Sequence, residues 1–181
     1  MKKNRILTVC LCCLIVAGCQ DDFLRKGPWG EVTPDALNTP EGVDYLLIGA
    51  YSILDGWGTG IGSQNQASAG SIRNWIWDTA SDDAYKASTP GDLTPAGEVE
   101  RYEALPTNQM IEFKWMVSYD GISRANDVIK ALDQAGTAIS DADRRVLEGQ
   151  ARFLRAFFHF RMQQMHFQVP YITEKVEDPG W

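Results

Sequence analysis

Cys19 is the residue whose surroundings most plainly prescribe a chemistry. It follows Val16-Ala17-Gly18, where small side chains let an extended backbone enter a peptidase cleft. Ahead of it lie a positive start (Lys2, Lys3, Arg5) and an apolar run from Ile6 to Val16, broken only by Thr8. That run is too short for a membrane-spanning helix, which needs about 20 residues. The pattern is a secretory leader over residues 1–18, with Cys19 first in the mature chain. The Cys19 thiol then takes a diacylglycerol, and the amine freed by cleavage takes a further acyl chain. Each buried methylene contributes about 0.8 kcal/mol, so three chains hold a protein to a membrane effectively permanently. The other cysteines, Cys10, Cys12 and Cys13, leave with the leader. The mature chain therefore has no disulfide, no thiolate metal site and no cysteine nucleophile.

Aromatic side chains are the second chemistry. Trp57, Trp75, Trp77 and Tyr85 fall in or near loop-like stretches. Sugar rings present apolar C–H faces that stack on flat aromatics. Taken singly, each is expected to pack beneath a loop, as aromatics usually do. Taken as a group, one or two are expected to line a ligand surface.

Asp78, Asp82 and Asp83 have the residue types of a glycosidase acid and nucleophile, or of a calcium site. No calcium-loop spacing accompanies them, and nothing in the sequence separates their acidities. Capping and hydrogen bonds to loop amides are the expected roles. His159 and His166 lie seven apart, which is not a zinc spacing, and both read as structural. Arg152 and Arg155 read as salt-bridging, and Asn126 as hydrogen-bonding a neighbouring carbonyl or loop. No catalytic residue, metal or cofactor is expected.

The full chain carries 17 basic and 24 acidic residues; loss of Lys2, Lys3 and Arg5 leaves 14 basic, a formal charge of −10. Such a surface repels nucleic acid and anionic lipid. Partners should be neutral or cationic.

These residues need elements to position them. Residues 19–38 contain Gly27, Pro28, Gly30 and Pro34 and read as an extended tether. Residues 39–181 then form the globular part. Thr39 as N-cap, Pro40 at the first position, and Val43, Leu46, Leu47, Ala50, Tyr51 and Leu54 at helical spacing predict a helix that stops at Gly56. Residues 56–70 and 86–107 read as loops, and the stretch from Ile72 to Tyr85 is ambiguous. Two long helices follow, Gln109 to Gln134 and Asp141 to His166. Trp115, Tyr119, Ile122, Asn126 and Ile129 share one face of the first. The second carries two apolar stripes: Val146, Phe153, Phe157 and Phe160; and Leu147, Ala151, Leu154, Phe158 and Met165. Its polar side is Arg145, Glu148, Arg152, Arg155, His159 and Gln163.

A short turn makes these helices an antiparallel hairpin, the unit of tetratricopeptide-type repeats. One pair cannot bury so broad an apolar face alone. The fold class is therefore mostly α, a tetratricopeptide-like helical-repeat scaffold with long irregular loops. It is expected to be incomplete at the C-terminus, the N-terminal part of a longer protein.

Three stretches resemble the SusD/RagB outer-membrane lipoproteins. They are Cys19 with Asp21-Asp22-Phe23-Leu24; Trp115, Tyr119, Ile122, Arg124, Ala125, Asn126, Val128 and Ile129; and Gly149-Gln150-Ala151-Arg152-Phe153-Leu154-Arg155-Ala156 through Phe160 to Val169-Pro170-Tyr171. The stretch Asp82-Asp83-Ala84-Tyr85 is similar as well. Gln150 stands where the family often has Glu, and Gln168 where many members have Gly, so a tight turn before Pro170 is not assured by type. The resemblance implies a surface-exposed, lipid-anchored outer-membrane protein that partners a TonB-dependent transporter and captures oligosaccharides or, in some branches, peptides, without catalysis. Two other classes fit the residues alone: a lipid-anchored scaffold binding only protein, and a surface glycoside hydrolase.

Overall fold

The computed structural model describes residues 34–55, 75–87 and 89–176. All regular structure among them is helical: α1 (Pro34–Leu37), α2 (Pro40–Ser52), α3 (Trp75–Ala80), α4 (Thr94–Glu100), α5 (Gln109–Ala135) and α6 (Asp141–His166). Short 3₁₀ turns follow α2 (Ile53–Asp55) and α5 (Gly136–Ala138).

The helix starts follow from their caps. Thr39 Oγ1 accepts from the Gly42 N–H at 3.1 Å, and Pro40 occupies the first turn of α2. Asn108 Oδ1 accepts from Met110 N–H at 2.9 Å, and Ser140 Oγ from Asp143 N–H at 3.1 Å. At the far end of α5, Arg144 donates to the carbonyls of Leu132 and Gly136, both at 2.6 Å. That satisfies acceptors a helix terminus would leave open.

Contacts between α5 and α6 run in opposite order. Trp115 meets His166, Asn126 meets Arg155, and Leu132 meets Arg144. The pair is therefore an antiparallel hairpin, and α2 packs against both members. Their shared core holds Val43, Leu47 and Ala50 from α2, Val117, Ile122, Ala125 and Ile129 from α5, and Ala151, Leu154 and Phe158 from α6. Gly121 lets the helices come this close: a Cβ there would lie 2.5 Å from the Phe158 ring. A smaller cluster of Ile76, Val99, Met110 and Phe113 joins α3, α4 and the start of α5.

Several expectations change. Residues 34–37, placed in the tether, form one helical turn; Pro34 starts it, where the missing N–H is not needed. The loop expected over 86–107 contains α4. Pro95 fits its first turn, and Gly97 suits a buried position with Lys86 and Arg101 crowded against it. The stripe Val146, Phe153 and Phe160 is exposed rather than packed, whereas Phe157 is half-buried.

The polar side of α6 is only partly polar in practice. Arg155 and His159 are buried, at 5% and 8% exposure. The reason is a strap, residues 169–176, that turns back across the hairpin. The turn is made with Phe167 at φ 62°, its N–H bonded to Gln163 O at 3.0 Å. Tyr119 Oη donates to Pro170 O at 2.8 Å, and Asn126 Nδ2 to Ile172 O at 3.4 Å. Ile172 N–H donates to His159 Nε2 at 3.2 Å, and His159 Nδ1 lies 2.9 Å from Arg155 O. This arrangement requires a neutral imidazole with its proton on Nδ1. Burial, and the Arg155 charge less strongly, hold its pKa below the ordinary histidine value. Arg155 donates to Asn126 Oδ1 at 2.8 Å and pairs with Glu174 on the strap. Asn126 and His159 thus both hold the strap to the hairpin.

Candidate functional site

Among the described side chains, Trp77 is the proposed aromatic whose placement creates a site. It sits on α3, half-buried, with Ile76 beneath it in the small core. The Arg161 guanidinium lies over its ring, 5.9 Å from the centroid. Such cation–π contacts contribute about 0.5–1 kcal/mol near a surface. Trp77, Asp78, Arg161 and Gln164 line an open cleft of about 450 Å³. Gln164 also accepts from Arg161 Nη1 at 3.2 Å, which orients the guanidinium. The cleft therefore combines a flat apolar surface, a carboxylate acceptor, a fixed donor fork and an amide that both donates and accepts.

Lys114 is fully buried on α5. Burial, and then the Arg161 charge, push its pKa down to about 7. Burial also lowers that of Arg161. Two cations therefore lie close together at this end of the hairpin, where like charge is expensive. Nearby, Trp115 packs against Tyr119 (centroids 4.9 Å apart) and edge-on to His166 (5.0 Å). Trp115 keeps 36% of its surface exposed.

The other proposed residues fall differently. Tyr85 is 77% exposed and does not line the cleft. Trp57 and Cys19 lie outside the described residues, as does the side chain of Trp75. Asp78, Asp82 and Asp83 are all exposed. Their turn is held by Ser81, whose hydroxyl donates to Asp78 O at 2.9 Å and accepts from Asp83 N–H at 3.2 Å. Among the described residues no group of three or more His, Cys, Asp or Glu could hold a metal. No described helix is long and apolar enough to cross a membrane.

Arg161, Gln164 and Lys114 were not anticipated. A signal existed for two of them. Arg161 is seven residues after Leu154 and Lys114 four after Met110, so both interrupt buried stripes. A cation on an apolar stripe needs a local reason, and here both interruptions fall at one end of the hairpin.

Residues 28–179 match a SusD-like family model described as starch-binding and associating with the outer membrane. The chain belongs to the SusD-like family. Its helical fold, its outer-membrane association and its grouping with glycan-binding proteins follow from that membership. No individual curated protein matches it.

Proposed function

We propose that this SusD-like chain captures oligosaccharides at the outer membrane and delivers them to a partner TonB-dependent transporter. The observation that supports it most is the Trp77 cleft: a family described as starch-binding, and in this member an aromatic platform ringed by Asp78, Arg161 and Gln164. Those groups match a sugar, whose hydroxyls both donate and accept and whose ring faces are apolar. Lipid on Cys19 anchors the chain, residues 1–18 are removed, and residues 19–38, apart from the helical turn Pro34–Leu37, serve as the tether. Trp57, Trp75 and Tyr85 are proposed as further contacts to the ligand. The role is binding, not catalysis.

The exposed stripe Val146, Phe153 and Phe160 recurs every seven residues along α6. It supports a tetratricopeptide-like reading, in which a helix pair offers apolar surface to a further helical layer.

Titration calorimetry of the non-lipidated protein against maltotriose and longer maltooligosaccharides tests the capture step. Trp77→Ala should weaken binding at least tenfold. Unchanged affinity in that variant would remove the cleft from the account. Loss of uptake on deleting a co-purifying transporter, with binding intact, would support the delivery step. Palmitate labelling that persists in Cys19→Ala would refute the anchor.

A further inference from the structure

Trp77 lines a second pocket of different character. Its volume is about 280 Å³, and its lining includes Ile76, Val99, Tyr102, Ile111 and Met165. The hydroxyl of Tyr102 is already engaged with Ala80 O, so the inner surface is almost wholly apolar. The pocket is close to the lower end of small-molecule sites, about 300 Å³. An apolar cavity of about 150 Å³ is enough to stay dry and take up a benzene ring. The indole Nε1 of Trp77 is buried without a hydrogen-bond acceptor among the described residues. No hydrogen bond to a described residue therefore locks the ring that serves both spaces.

Resting on the glycan reading above, we infer that the preferred ligand is an oligosaccharide bearing an aryl or acyl substituent. The sugar lies in the polar cleft of Trp77, Asp78, Arg161 and Gln164. The substituent enters the pocket of Ile76, Val99 and Met165. A bare glycan leaves that pocket empty, whereas burying an aromatic-sized group contributes enough for about 10- to 100-fold in affinity.

The test compares maltotriose with 4-nitrophenyl maltotrioside on the full mature chain by titration calorimetry. The expected result is at least tenfold tighter binding of the aryl saccharide. Ala104→Phe should fill the pocket from its loop wall and remove the preference while maltotriose affinity stays the same. Equal affinity for the two saccharides, with both lost in Trp77→Ala, would overturn this inference and leave the glycan reading standing. Binding of neither, or binding indifferent to Trp77→Ala, would remove the glycan reading and this inference with it. Tighter binding of a Phe-containing tripeptide than of the aryl saccharide would assign the pocket to peptides and overturn the inference.

Discussion

Lys114 is a charge in the wrong place for stability, and its removal should show by how much. It is fully buried on α5, and its pKa falls from 10.5 to about 7, through burial first and Arg161 second. A shift of three to four units, at about 1.36 kcal/mol each, sets a ceiling of about 5 kcal/mol on the penalty for keeping it charged. Below pH 7 the lysine is charged folded and unfolded, so the fold bears that whole penalty. Between pH 7 and 10.5 the folded chain releases the proton while the unfolded chain keeps it. Stability must therefore rise with pH across that window. Lys114 also makes an interaction of its own, which offsets part of the gain from replacing it. Lys114→Met should stabilise the protein by about 2–3 kcal/mol at pH 6.5, and the advantage should shrink toward zero by pH 9.5. In a chain of this size that is about 5–10 °C in Tm. Urea unfolding at pH 6.5, 8 and 9.5 measures it. A wild type whose stability is flat from pH 7 to 9.5, or a variant less stable at every pH, would refute the reasoning.

Other perturbations probe the hairpin and its strap. Gly121→Ala puts a methyl group against the Phe158 ring and should lower stability by about 1–3 kcal/mol, read from the urea midpoint at constant slope. Glu174→Gln leaves the buried Arg155 guanidinium without its carboxylate and should lower stability by about 3 kcal/mol, whereas Glu148→Gln, at the exposed Arg152 pair, should change it by less than about 1. The depressed pKa of His159 means that the unfolded chain binds its proton first, so stability falls as pH drops below the ordinary histidine range. The protection factor of the Ile172 amide, corrected for the slower intrinsic exchange at low pH, should fall more between pH 7 and 5 than global unfolding accounts for, and the extra fall should vanish in His159→Gln.

The helices were legible because their signals are local. Thr39, Ser140 and the three-four spacing of apolar residues give the starts and faces of α2, α5 and α6 without any knowledge of the rest. Asn126 was also legible as a polar group that must find a carbonyl, although not which one. The missed features depend on segments distant in sequence. His159 and Arg155 look solvated on a helical projection, and only the return of residues 169–176 buries them. Composition hid α4, since Pro and Gly argue for a loop unless their places in the turn are known. The Trp77 cleft needs α3 brought beside the end of α6, a contact no periodicity encodes.

At Pro170 and Ile172 the strap is gripped through its peptide groups, and at Glu174 through its carboxylate. Tyr119 and Asn126 hold the carbonyls of Pro170 and Ile172, and His159 accepts the Ile172 amide. Such a clasp reads shape and ignores side-chain identity. Position 170, exposed and held by its carbonyl, should therefore tolerate a wide choice of residues in a substitution library, whereas positions 119, 126 and 159, each reaching a fixed atom from a rigid helix, should admit almost none. The chain's variability at this edge belongs to the part that is held, and its constraint to the parts that hold it.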